Sequence, residues 1–375
     1  MIYRKLQEEL VSGASPEGKN LPNLQEELVS GASPEGKNLP NLQEELVSGA
    51  SPEGKNLPNL QEELVSGASP EGKSPVWQQY VFEFIHRSMD NLILGHASLD
   101  VVLLPPQVFL EKERNPDCPG IVTHSSGNHG QAIAYAARCA DLPCSVVVPK
   151  GTPKVKCSAI KSYGAKLVYC EPTFSSRKET CAEISEETGQ IVIHPFDNYD
   201  VIAGQGTMAM ELLEEVPDLD AILVPVSGGG MISGIAIAAK KSKHKCRVFA
   251  VEPEGKELQR SLEAKERLWS DPPRFLETIA DSIRIEQLGF LTFPIVCDLV
   301  EPKVCSVDDD QMIEGMKLSF ERLKLVVEAA SGAAVYAGVH SLKDEHPPLR
   351  KVGVILCGGN VDLDHLPWIK RKTSY

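Results

Sequence analysis

From Gly120 onward, short apolar runs alternate with amphipathic stretches of helical length, and this alternation constrains the fold more than any other feature of the chain. The β-type runs occupy 121–123, 145–148, 166–169, 191–193, 221–226, 247–251 and 352–356. Between them the spacing predicts helices over 131–139, 208–216, 231–241 and 309–327. Short strands that are apolar throughout suit burial on both faces, and helices between them imply a parallel sheet covered on both sides. The expectation is an α/β fold of two parallel-sheet domains, a small one over 115–196 and a large one over 197–370. In such folds ligands sit beyond the C-terminal ends of the strands, where loops lead into helices.

The stretch before residue 115 reads differently. The unit LQEELVSGASPEGKNLPN begins at Leu6, Leu24 and Leu42, and again at Leu60 in a copy cut after Lys73. Each full copy holds four aliphatic residues, interrupted by Gly, Pro and Ser, too few for the stacked apolar face of a solenoid. Residues 1–73 are therefore expected to be disordered, with a repeated binding motif as the alternative. Residues 74–114 contain Trp77, Tyr80, Phe82 and Phe84, then an aliphatic run at 101–104 followed by two prolines. That is material for a helix and a strand, without a catalytic pattern.

Charge narrows the function classes. Each repeat carries three Glu and one Lys, so the four copies supply −8 of the net charge of −14. No basic stripe is present to neutralise a nucleic-acid backbone. No run of about 18 apolar residues would cross a bilayer, and residues 1–10 do not read as a secretory signal. The ten cysteines form no CxxC pair. Reduced, buried thiols in a cytoplasmic protein are expected, rather than a disulfide framework or a zinc site.

Three strand-exit loops carry chemistry. His124-Ser125-Ser126-Gly127-Asn128-His129-Gly130 precedes a helix, where backbone N–H groups can seat an anion such as a carboxylate. Ser227-Gly228-Gly229-Gly230-Met231 lets the backbone approach a phosphate closely. Cys357-Gly358-Gly359-Asn360 follows the last strand. Taken singly, any of them could be only a tight turn. The second, with Gly234 and with Glu252 ending the next strand, also imitates a dinucleotide loop, but that reading leaves the other two loops unexplained.

Together THSSGNHGQA, VIAGQGT, VPVSGGGMISG and ILCGGNVDL resemble the fold-type II pyridoxal-phosphate enzymes acting on serine and threonine, the serine racemases above all. The resemblance spans roughly residues 115–368. It implies that Asn128 hydrogen-bonds the pyridoxal ring oxygen, that Ser227, Gly228, Gly229, Gly230 and Met231 cradle the phosphate, and that Cys357 faces the pyridine nitrogen. Ser125, Ser126 and His129 would receive the substrate carboxylate, with Arg177 a second contact. Racemisation needs acid/base groups on opposite faces of Cα. The resemblance gives one face to Ser126, where related dehydratases usually carry Ala; as an alternative, Ser126 merely caps the helix. It further implies a Mg²⁺ or Ca²⁺ site at Glu252 and the backbone carbonyl of Lys256, although the third ligand position holds Leu258 and a carboxylate lies one residue early, at Glu257. It implies ATP as an effector at Gln131, Lys156, Tyr163, Lys324 and Asn360, and a homodimer.

One part of the pattern is missing. The lysine that carries the cofactor should lie about 28 residues before Ser126, and counting back reaches Ser98; no lysine occurs between Lys73 and Lys112. Lys112 reads as part of an exposed charged stretch, and a sheet edge is expected to be left unpaired. Three functions stay open: a racemase that interconverts L- and D-serine with accompanying elimination to pyruvate and ammonia; a serine/threonine dehydratase; and a catalytically silent binding or regulatory subunit.

Overall fold

The computed structural model describes residues 92–93, 106–241 and 245–369, all within the compact unit that includes Met89–Tyr375. The repeats, the aromatic residues Trp77, Tyr80, Phe82 and Phe84, and the position of Ser98 lie outside the described residues. The first described elements are a two-residue strand, β1 (Leu92–Ile93), and helix α1 (Pro106–Arg114), whose first residue is a proline, tolerated where a first-turn N–H has no helical partner anyway.

Strands β2 (Ile121–His124), β3 (Cys144–Pro149), β4 (Lys166–Cys170) and β5 (Ile191–Val192) form a parallel sheet in the order β4-β3-β2-β5. Helices α2 (Asn128–Cys139), α3 (Lys154–Ser162) and α4 (Phe174–Thr188) connect them. Then come α5 (Tyr199–Glu215), β6 (Ala221–Pro225), α6 (Gly230–Lys240), β7 (Arg247–Pro253), α7 (Leu258–Ala264), α8 (Thr292–Leu299), β8 (Val304–Val307), α9 (Asp309–Leu318), α10 (Ala329–His340) and β9 (Val352–Val354). They build a second parallel sheet in the order β1-β9-β6-β7-β8. Strands β2, β3 and β6 are buried at every position, as continuous apolar runs require. Ile121, Ile133, Val146 and Ile160 centre one core; Ile222, Val224, Ile232 and Ile235 centre the other.

Each strand predicted from Gly120 onward is present, while the aliphatic run 101–104 lies outside the described residues, and four details differ. The helix predicted over 208–216 begins at Tyr199, because the Asn198 side chain accepts hydrogen bonds from Asp200 N at 2.8 Å and Val201 N at 3.1 Å. Its glycines are used in packing: a Cβ on Gly206 would lie 2.9 Å from Gly234 O, and one on Gly234 only 2.1 Å from Ile202 O. Helices α5 and α6 thus cross backbone to backbone, and the contact offsets the roughly 1 kcal/mol helix cost of each glycine.

The helix predicted over 309–327 stops earlier. It widens into a π turn at Ser319–Leu323, where Ser319 Oγ donates to Gly315 O at 2.9 Å, and ends at Lys324 with φ +60°. Lys112 is half-buried rather than exposed, its ammonium donating to Ala140 O, while Arg114 pairs with Glu111 at 2.9 Å and Asp200 at 3.1 Å. The expected free sheet edge is covered over two residues, with Leu92 opposite Val352 and Ile93 opposite Gly353. All ten cysteines are free, and no described helix is long and apolar enough to cross a membrane.

Candidate active site

The loops after β2, β6 and β9 open onto one cleft of about 510 Å³. Ser125, Ser126, Gly127, Asn128 and His129 line it from the first loop, Ser227, Gly228, Gly229, Gly230 and Met231 from the second, and Cys357 from the third. Parallel strands end on the same edge, so loops far apart in sequence meet there.

Asn128 joins the first loop to the third. Its Nδ2 donates to Cys357 O at 2.9 Å and Glu328 Oε1 at 3.2 Å, and its Oδ1 accepts from Asn360 Nδ2 at 2.7 Å. The N-cap of α2 is Gly127, and no side chain caps it, so Ser126 is not a helix cap; it lines the cleft half-buried. Gly130 lets the loop fold back on itself, since a Cβ there would sit 2.1 Å from Ser125 O.

Beneath this loop lie three imidazoles. Thr123 donates its hydroxyl proton to Ile193 O at 2.7 Å, so its oxygen accepts from His129 Nε2 at 3.1 Å. His194 Nδ1 accepts from Asp197 N at 2.9 Å, and its ring meets that of His124 edge-on at 5.2 Å. Desolvation, aided by repulsion from neighbouring basic groups, pushes His124 and His129 down to about 3 and His194 to about 4. At neutral pH all three are uncharged. His129 has already committed its Nε2–H, so an incoming carboxylate depends on the loop's backbone and hydroxyls.

The glycine loop is shaped by what packs behind it. Gly229 has φ +94° and starts α6, and a Cβ on Gly228 would lie 2.3 Å from the Phe196 ring. The unpaired N–H groups of the first turn of α6 form a seat for an anion. In the third loop Cys357 Sγ lies 3.8 Å from Ser331 Oγ, which donates to Gly358 O at 3.0 Å. Glu328 is buried: Oε1 accepts from Ser282 Oγ at 2.6 Å, while Oε2 has no partner among the described residues. Burial pushes its pKa up.

A flat ring bearing a phosphate fits this set, with the α6 N-terminus for the anion, Asn128 and Cys357 for the ring, and the unpartnered Glu328 oxygen beside them. Among the described residues it contains no lysine amine free of an ion pair for covalent attachment. Lys156 is the one lysine lining the cleft among the described residues, and its Nζ pairs with Asp281 Oδ2 at 2.6 Å.

Arg177 also lines the cleft, 8% exposed, with its guanidinium 4.8 Å from the Phe275 ring centroid. Sequence reasoning missed Phe196, Phe275, Ser282, Arg284 and Glu328. Most of them lie in irregular segments without a motif, and the one available signal for Glu328 was its place just before the small-residue run of α10.

Of the five residues assigned to a nucleotide, only Lys156 lines the cleft. Gln131 is buried in α2; Tyr163 packs edge-on against Tyr135 at 5.4 Å; Lys324 donates to Glu321 O at 2.6 Å at the end of the π turn; Asn360 bonds Asn128. The divalent-cation site does not fit. The Lys256 carbonyl accepts from Trp269 Nε1 at 2.7 Å, Glu252 Oε2 accepts from Leu258 N at 3.0 Å, and the buried Lys256 ammonium itself interacts with Glu252. Among the described residues no group of three or more His, Cys, Asp or Glu could hold a metal ion.

Comparison with known proteins agrees with this geometry. A family model described as "Pyridoxal-phosphate dependent enzyme" matches residues 107–358. The serine racemase of Arabidopsis thaliana is 43% identical over 259 residues, covering 68% of this chain and 76% of that protein. The human serine racemase is 42% identical over 270 residues, covering 70% and 77%. The crystal structure of a pyridoxal 5'-phosphate-dependent aspartate racemase superposes with a TM-score of 0.72 at 45% identity, covering 82% of this chain and 96% of that one. With two parallel sheets, three converging loops and these relatives, the chain belongs to the family of pyridoxal-phosphate-dependent enzymes.

Proposed function

We propose that this chain derives from and works as a serine racemase, interconverting L- and D-serine with elimination of water to pyruvate and ammonia as a second outcome. The observation that carries the reading is the convergence of Ser126, the glycine loop and Cys357 on one cleft, with Ser126 free of a capping role. Pyridoxal phosphate, when bound, withdraws electrons from Cα and so acidifies its proton. The chain's own residues do the rest. The first turn of α6 and the glycines before it hold the phosphate, and Asn128 meets the ring by giving up the longer of its amide bonds, the one to Glu328. Ser125 and the N–H groups at the start of α2 orient the substrate carboxylate. The Ser126 hydroxyl holds and returns a proton at one face of Cα. Cys357, a weak partner for a ring nitrogen, leaves the pyridine largely unprotonated, which keeps elimination competitive.

The base for the other face is the lysine that the family pattern puts at the position of Ser98, outside the described residues. Its loss favours a second reading, a silent subunit that binds cofactor and pairs with an intact homologue; the supporting observation is that the one lysine in the described cleft wall, Lys156, is held by Asp281. Under either reading, residues 115–196 and 197–370 form the small and large lobes and the protein acts in the cytoplasm; under the racemase reading it associates as a homodimer and takes threonine as a second substrate. The reading also takes ATP as an effector, for which Gln131 Nε2, buried without a partner among the described residues, is a candidate donor. A divalent ion has no part in the reading.

Borohydride reduction with cofactor present, followed by peptide mapping, tests the lysine, and product analysis from L-serine tests the reaction. A modified lysine with D-serine among the products supports the racemase. Pyruvate alone makes the chain a dehydratase, and cofactor bound with no modified lysine makes it a silent subunit.

A further inference from the structure

The glycine loop owes its shape to contacts made outside the cleft. Gly228 turns its carbonyl oxygen toward α8, where it accepts from Gly289 N at 3.0 Å and from Thr292 Oγ1 at 2.7 Å. The peptide joining Gly228 to Gly229 is trans and planar, so the Gly229 N–H points opposite to that carbonyl. Holding the oxygen against α8 therefore turns the N–H away from α8, on a residue that lines the cleft. An unheld peptide would be free to flip and present its oxygen to an incoming anion.

Asp197 holds the two donors in place. It follows Phe196 in the turn between β5 and α5, outside the lining of the cleft. Its Oδ1 accepts from Leu291 N at 2.9 Å and Thr292 N at 3.2 Å, and its Oδ2 from Phe290 N at 3.0 Å. These N–H groups stand at the start of α8, where the helix itself offers no acceptor. Gly289 lies so close that a Cβ on it would sit 2.1 Å from Asp197 Oδ1. One carboxylate thus organises residues 289–292, the stretch that supplies both donors to Gly228. Its own N–H donates to His194 Nδ1 at 2.9 Å, which fixes the turn. Phe196 packs directly on the loop, since a Cβ on Gly230 would meet Phe196 O at 2.8 Å. Backbone N–H groups bond an ionised carboxylate more strongly than a neutral acceptor, and three such bonds fix the side chain.

We infer that Asp197 is a positioning residue for the cofactor phosphate: by bracing residues 289–292 it holds the Gly228 carbonyl back and leaves the Gly229 N–H to the anion. The inference rests on the phosphate site of the proposed function and assigns the residue that shapes it. Asp197 touches neither cofactor nor substrate. A carboxylate in the cleft itself would repel the phosphate; here its charge is taken up by three N–H groups.

The test is calorimetric titration of the full chain with pyridoxine 5'-phosphate and with pyridoxine, which carry no aldehyde and so form no bond to any lysine. The ratio of the two affinities measures the phosphate site alone. The parent chain should favour the phosphorylated ligand at least about a hundredfold. In D197A that ratio should fall at least about tenfold, with pyridoxine binding little changed. D197N keeps one oxygen for Leu291 and Thr292, and its ratio should lie between those of D197A and the parent. D308A is the control. It removes the capping carboxylate of α9, whose Oδ1 accepts from Gln311 N at 2.8 Å, and should lower stability without moving the ratio. A ratio in D197A equal to the parent's, an equal loss for both ligands, or an equal fall in D308A overturns the inference and leaves the proposed function standing. A parent chain without preference for the phosphorylated ligand refutes the proposed function, and hydrogen exchange in the ligand-free chain then judges Asp197. Exchange across 227–233, which includes the Ser233 N–H bonded to Gly229 O at 3.0 Å, should rise in D197A and not in D308A; no rise overturns the inference.

Discussion

Replacing Lys256 by Met removes the one positive charge buried where the family pattern would put a divalent ion. Lys256 is 0% exposed, and its ammonium donates to Ile285 O within reach of Glu252 and Glu286, themselves 4% and 9% exposed. It thereby ties the start of α7 to the segment whose residues Ser282, Ile283, Arg284 and Ile285 line the cleft. Burial pushes the pKa of Lys256 down and that of Glu252 up, and the attraction between the two groups opposes both shifts. Breaking such a pair from one side costs roughly 3–5 kcal/mol, because the remaining charge stays buried alone. At about 2–4 °C per kcal/mol for a folded body of this order, K256M should melt on the order of 10 °C below the parent chain. The double variant K256M/E252Q should recover about half of that loss, since the stranded carboxylate is gone and the amide oxygen can still accept from Leu258 N. Scanning calorimetry with EDTA or with Mg²⁺ completes the assay: the parent chain should be indifferent to both. A K256M variant within about 1 kcal/mol of the parent, or a parent chain destabilised by EDTA and restored by Mg²⁺, would refute the reasoning.

Other outcomes follow from the same geometry. The folded-state pKa of His194, about 4, lies below the unfolded 6.5, so its neutral form contributes stability that is complete above 6.5 and is lost as pH falls toward 4. In H194N, whose side-chain oxygen can still accept from Asp197 N, the stability lost between about pH 7.5 and 5.5 in urea titrations should therefore shrink by about 1.4 kcal/mol; an unchanged slope counts against the neutral cluster. G228A forces a Cβ to within 2.3 Å of the Phe196 ring, so cofactor affinity by fluorescence titration should fall at least about tenfold with a stability loss of about 1–3 kcal/mol. G234A drives a Cβ against Ile202 O at 2.1 Å and should destabilise by about 2–4 kcal/mol in chemical denaturation, since α5 and α6 must separate. In an active preparation, S126A should lower the rate of D-serine formation about 10²–10⁴-fold while pyruvate formation from L-serine persists.

Much of the site was legible in advance because its motifs are local. A glycine run between an apolar strand and a helix is readable as a strand-exit loop wherever it occurs, and the loops at Asn128, Gly229 and Cys357 do share a cleft. What escaped depended on long-range partners. Arg284 and Phe275 lie in the irregular stretch between α7 and α8, where no periodicity reports burial. Lys256 looked like a backbone carbonyl for a cation, and only packing shows its own side chain turned inward. The glycines of VIAGQGT lay ahead of the helix expected over 208–216, yet they are helical, and Gly206 packs against α6.

By itself the order of apolar runs and helices determined a parallel α/β architecture, since a strand hydrophobic on both faces must be covered on both faces, and it determined which loops stand at the strands' carboxyl ends. The absence of a lysine between Lys73 and Lys112 is likewise a fact of sequence alone. Only the tertiary structure decided which side chains meet in the cleft and which ammonium stands beside Glu252. Those are properties of distance and exclusion from water, and neither is encoded at any single position along the chain.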